Sequence, residues 1–155
     1  MFAESRPGES TGLRVAIDYV NPSDPEAKPP AVHKVVVRLQ PGTAIDTAVP
    51  ARCGASNGEL MATGASACPA ASKVGRGEID VDSGLPGPER ILKNGVTLLN
   101  NKDELIFLLE AKGGAPSRTV LRAPIDGATV TSEAPPLPRR PARRVQRGQA
   151  GPAGA

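Results

Sequence analysis

The chain has no tryptophan, a single tyrosine, two phenylalanines and one histidine. Phe2, Tyr19 and Phe107 are too few to build an interior, so any core must come from valine, leucine, isoleucine and alanine. No apolar run approaches the roughly 18 residues that a helical membrane span requires. The opening "MFAESRPGES" lacks a basic segment followed by an apolar one and does not read as a secretory leader. The expectation is therefore either a cytosolic protein or a chain whose leader lies upstream of Met1.

Acidic residues are missing from one place in particular. Residues 134–155, "APPLPRRPARRVQRGQAGPAGA", hold Arg139, Arg140, Arg143, Arg144 and Arg147 and no carboxylate. Those five arginines exceed the net charge of +3 for the whole chain, so the body by itself is mildly acidic. At 155 residues there is room for one domain, and 39% apolar residues place that domain in the globular rather than the disordered class. Seventeen glycines and seventeen prolines predict many turns and loose ends.

Period-two alternation recurs along the body. In "TGLRVAIDYV", Leu13, Val15, Ile17 and Tyr19 point one way and Arg14, Ala16 and Asp18 the other, which predicts a half-buried strand over residues 11–20. "NPSDPEAKPP" must be a loop, because proline fixes φ and removes a donor. "VHKVVVRL", "KVGRGEIDVD", "RTVLRAPI" and "GATVTSE" read as further strands, and "TAIDTAVPARC" as extended or irregular. "DELIFLLEA" is apolar on both faces, as a central strand would be. Asn94-Gly95 lies between apolar runs and predicts a hairpin, with a continuous bulged strand as the alternative. One helix is predicted: Ser56 caps it, Glu59 reaches back, and Gly64 ends it within two turns.

About six to eight short strands separated by turn signals predict an all-β protein. The expected fold is an antiparallel β-sandwich, immunoglobulin-like or jelly-roll-like, over residues 11–133. Disordered segments are expected at residues 1–10 and 134–155.

Cys53 and Cys68 enclose fourteen residues. A metal site needs about four ligands, which this pair and one distant histidine do not supply. A redox pair would more often be C-x-x-C. A structural disulfide is favoured, with two buried free thiols as the alternative. The stretch between the cysteines is rich in alanine, glycine and serine and cannot bury enough apolar area to order itself.

No catalytic set converges. "GASNG" fits G-x-S-x-G, but "TAVPARC" before it is not the buried strand that a nucleophile elbow needs, and His33 precedes the serine. Glu78, Asp80 and Asp82 share one strand face, and "DVDSG" resembles the start of a calcium loop. Its glycine falls one place early and Ile91 occupies the position of the closing glutamate, so a solvated acidic face is the better reading. The reading is non-enzymatic, with no cofactor. The arginine tail suggests an alternative role in binding nucleic acid or another anionic surface, although it lacks aromatics for base stacking. Arginine, proline, alanine and glycine make up eighteen of its twenty-two residues, which is also what a shifted reading frame in GC-rich DNA would encode.

The segments "LRVAIDYVNPSDPEAKPPAVHKVVVRLQPGTAIDTAVPARC", "ASNGELMATGASACPAASKVGRGEIDVDSGLPG" and "NNKDELIFLLE" together resemble a family of uncharacterised secreted proteins from high-GC actinobacteria. The resemblance covers roughly residues 11–138 and is most specific from Arg52 to Gly75. It implies an exported β-rich protein with a leader, continuing past "PPLP" into further β segments, and it carries no catalytic residue. The sequence departs from that pattern at both ends, so a fragment or a frame-shifted product is expected. The expected role is an exported or cell-envelope module with binding or structural function, and an exposed sheet edge would favour self-association.

Overall fold

The computed structural model describes residues 11–113 and 116–134. Six strands and one α-helix lie within them: β1 (Lys34–Arg38), α1 (Asn57–Thr63), β2 (Lys73–Asp82), β3 (Ile91–Asn101), β4 (Glu104–Ala111), β5 (Arg118–Asp126) and β6 (Thr129–Glu133). All neighbours are antiparallel and form one sheet in the order β1-β6-β5-β4-β3-β2. The sheet turns a corner between β5 and β6. These two strands pair only at Ile125–Val130 and Asp126–Thr129, whereas β6 runs beside β1 along its whole length.

The β-rich, antiparallel character and the single short helix match the sequence reading. The described strands all belong to this one curled sheet.

Register explains why one face is packed. Leu99 lies opposite Ile106, and Leu108 opposite Val120, so these four side chains project to the same side. Leu99, Ile106 and Leu108 are fully buried there with Cys53 and Leu60; Cys68 is nearly so, and Val120 packs against the cluster. Burying each leucine or isoleucine contributes about 1.5–3 kcal/mol, and the cluster contains no aromatic ring.

Two expectations fail. The strand predicted over residues 11–20 does not form: Leu13 makes an isolated bridge and residues 14–20 belong to no ladder. Alternation specifies a face but supplies no partner strand. The following segment is bent by turns, in which Asn21 Oδ1 accepts from the Ser23 amide and the Asp24 carbonyl from the Ala27 amide. It is also tied down at the β2–β3 connection, where Lys28 Nζ donates to the Ser83 carbonyl (3.1 Å) and Arg90 donates to the Glu26 carbonyl (2.7 Å).

The hairpin at Asn94-Gly95 is also absent. β3 runs straight through both residues, which pair with Ile79 and Glu78 on one side and with Ala111 and Glu110 on the other. Two full ladders outweigh the local turn preference of the dipeptide. The chain instead reverses at Lys102-Asp103, where Asp103 takes φ 55°. Asn101 Nδ2 donates to Glu104 Oε1 (2.7 Å) across that turn, and the Ile125 amide donates to the Asp103 carbonyl (2.9 Å).

Candidate binding surface

The two faces of the sheet are finished differently. On one, residues 53–68 form a lid. Cys53 and Cys68 are disulfide-bonded with their Cα atoms 5.0 Å apart, as the sequence reading favoured. Between them α1 begins at Ser56, whose side chain accepts from the Glu59 amide, while Glu59 Oε2 accepts from the Ser56 amide (2.8 Å). This reciprocal capping satisfies amides that the first turn leaves without partners. Gly64 ends the helix with φ 71°, and a side chain there would sit 3.1 Å from Arg118 Nε and Glu110 Oε1. α1 turns Leu60 inward to complete the packed cluster.

Two arginines of β5 fasten the lid. Arg122 donates to Asn57 Oδ1 (2.7 Å), to the Ala55 carbonyl (2.7 Å) and to Glu104 Oε1 (2.5 Å). Arg118 donates to the Met61 and Ala62 carbonyls (3.2 and 3.0 Å) and to Glu110 Oε1 (2.7 Å). The Arg118 contacts reach carbonyls at the C-terminal end of α1, which have no partner inside the helix. Sequence reasoning missed these roles; the available signal was that Arg118, Val120 and Arg122 alternate onto the face that Leu108 occupies.

The other face is closed at one end only. Asn100 is buried, and its Nδ2 donates to the Thr47, Pro50 and Ala51 carbonyls at 3.1, 3.2 and 3.1 Å. The Cys53 amide in turn donates to the Asn100 carbonyl (2.8 Å), at the position β2 would occupy if it began earlier. These bonds lay the irregular segment 47–53 along the end of β3. A cleft of about 380 Å³ lies beside it, lined by Thr43, Ile45, Thr47, Asp103, Ile125 and Ala128.

Beyond that segment the face is open. Leu98, Phe107 and Leu121 lie side by side across β3, β4 and β5 and are only half-buried. Nearer the edge, Ile79, Val81 and Leu92 are 42%, 40% and 47% exposed. β2 is the outermost strand on this side, ten residues long, and no described strand pairs with its outer edge. An apolar strip and a row of backbone donors and acceptors that no described strand pairs therefore adjoin each other, and this is the candidate binding surface.

The other residues singled out in the sequence are placed as follows. The Ser56 hydroxyl is committed to Glu59 Oε2 (2.8 Å). His33 is exposed just before β1, and its carbonyl accepts from the Ala134 amide (2.9 Å). Glu78 pairs with Lys112, Asp80 with Lys93 (3.9 Å) and Asp82 with Arg90 (3.1 Å). The hydrogen bond from Lys112 lowers the pKa of Glu78, and the Gly84 amide lowers that of Asp82. The Ser56 amide does the same for Glu59.

Among the described residues no three or more His, Cys, Asp or Glu side chains are grouped to hold a metal ion. No helix among them is long and apolar enough to cross a membrane. Arg139, Arg140, Arg143, Arg144 and Arg147 lie outside the described residues. No protein-family model matches the chain, and no curated protein or solved structure shows significant similarity to it.

Proposed function

We propose that the protein is a non-catalytic β module of the extracellular space or cell envelope, where it binds or supports a partner through its open sheet face. The observation that carries this reading is the Cys53–Cys68 bridge, buried in the core and closing a lid made mostly of small residues. Disulfides of this structural kind persist in oxidising compartments. The resemblance of residues 11–138 to secreted actinobacterial β-rich proteins supports the same compartment.

The asymmetry of the sheet supports the binding role. In a β-sandwich of immunoglobulin-like or jelly-roll-like type, an apolar sheet face packs against a second sheet about 10 Å away. We read the open face here as the inner side of one such layer, with the opposing layer contributed by a partner. The engagement of the Ser56 hydroxyl in helix capping supports a non-catalytic reading of "GASNG".

Fractionation of the producing cell tests the compartment. The protein is expected in the envelope or the medium with its two cysteines bridged. Recovery from the cytosol with both thiols free overturns the reading.

A further inference from the structure

We propose that two copies of this chain associate by strand exchange, with Leu13–Tyr19 of each copy adding to the free edge of the other's β2 as an antiparallel seventh strand. The proposal rests on reading that edge as the binding surface, and it names the partner as a second copy.

The complementarity is readable residue by residue. In the register that sets Leu13 opposite Val81, Val15 falls opposite Ile79, Ile17 opposite Gly77 and Tyr19 opposite Gly75. Leu13, Val15, Ile17 and Tyr19 are 46%, 54%, 66% and 50% exposed in the single chain, as Ile79 and Val81 are at 42% and 40%. Pairing sets the two rows side by side so that each covers the other's flank, and it extends the open apolar face on the side where Leu92 and Leu98 already lie. Ile17 and Tyr19 meet the two glycines. The space where a Cβ of Gly77 would stand has no heavy atom within 4 Å, which leaves room for Ile17.

The opposite face of the same register matches charges. Arg14 falls opposite Asp80 and Asp18 opposite Arg76, with Ala16 opposite Glu78. A parallel alignment that keeps the same side chains on the apolar face would instead set Arg14 beside Arg76 and Asp18 beside Asp80. Like charges directly opposite destabilise a ladder, so the antiparallel arrangement is selected.

Reach assigns the pairing to a second molecule. Glu26 is held at the far end of β2 by Arg90, which also pairs with Asp82. With Tyr19 opposite Gly75, the chain from Tyr19 back to Glu26 would have to span the distance from Gly75 to Asp82. That is seven residues of strand, roughly 23 Å. The seven intervening steps of chain reach at most about 25 Å when fully extended, and they are bent by the turns at Asn21–Ser23 and Asp24–Ala27. A second copy carries no such tether, and a reciprocal exchange closes as a two-fold dimer.

The test uses the full chain in two forms. In sedimentation velocity across a concentration series, the unaltered protein is expected as a concentration-dependent dimer. The Ser83 amide donates to the Arg90 carbonyl on the β3 side, so the even-numbered residues of β2 turn their backbone groups outward and Ala16, opposite Glu78, supplies a ladder donor. Ala16→Pro removes that donor at an exposed site outside every strand, so it should leave the circular dichroism unchanged and weaken the dimer by about tenfold or more. A protein that is monomeric at every concentration overturns the proposal, as does an Ala16→Pro variant that dimerises equally well. A Val15→Cys/Ile79→Cys double variant, oxidised and run without reductant, is expected as a cross-linked dimer. A cross-linked monomer, or no new cross-link, contradicts exchange between copies. These readouts are made on purified protein, so they stand apart from the compartment in which it is found.

Discussion

Replacing Asn100 with aspartate keeps the outline of the side chain and removes both of its donors. The native amide is 2% exposed and faces three carbonyls, those of Thr47, Pro50 and Ala51. Two hydrogens serve three acceptors, so the variant loses two hydrogen bonds' worth of donation. A buried acceptor left without a donor costs about 1–3 kcal/mol, which brackets the loss at about 2–6 kcal/mol. Thr47 is buried, whereas Pro50 and Ala51 are half-buried and can turn toward water. That places the expected destabilisation near 3 kcal/mol, a large share of a typical domain stability of about 5–15 kcal/mol.

The pH dependence carries the sharper sign. A carboxylate facing carbonyl oxygens in a buried site favours its protonated form, so its folded pKa lies above its unfolded one. The variant should therefore recover part of its loss as pH falls through that raised value, because the neutral acid again offers one donor. The assay is urea unfolding followed by far-UV circular dichroism at pH 7 and pH 5. An Asn100→Asp variant within about 0.5 kcal/mol of the parent at pH 7, the scatter of ordinary surface substitutions, would refute the role given to Asn100.

Reducing the Cys53–Cys68 bridge, whose partners are 15 residues apart, should cost about 3 kcal/mol by the chain-entropy relation, read as a lowered urea midpoint with a dithiol present. Ser56→Ala removes the cap of α1 and should cost about 1 kcal/mol, seen as a lower melting temperature with β content unchanged. Glu59, Glu78 and Asp82 have folded pKa values lowered from the ordinary 4.5, 4.5 and 3.8. Their contribution is complete above those ordinary values and lost as pH falls through the lowered ones. Melting temperatures from pH 7 to pH 3 should thus fall less steeply in a Glu59→Gln variant than in the parent.

Much of the sheet was legible because period-two patterning and turn residues act locally. β2 has the bounds the sequence suggests, since "SGLPGP" after Asp82 allows no continuation. β4 is central as its two apolar faces imply. The capping box at Ser56 and Glu59 was equally plain, because both partners lie within one helical turn. What the sequence hid depends on distant partners. The alternation of residues 11–20 could not say that its chain would be tied elsewhere by Arg90 and Lys28. Asn94-Gly95 could not show that ladders on both sides would hold it straight. Arg118, Arg122 and Asn100 acquire their roles only when loops some fifty or more residues away arrive beside them.

The claim on which the compartment and the open surface both depend is that the bridge holds the lid over one face of the sheet. Amide hydrogen exchange over residues 53–68, with and without reductant, addresses it directly. In the oxidised protein the Cys53 and Leu60 amides, bonded to the Asn100 and Ser56 carbonyls, should exchange slowly. After reduction, protection across the lid should collapse while the β3–β4 ladder keeps more of its own. Equal protection of the lid in the two states would contradict the account.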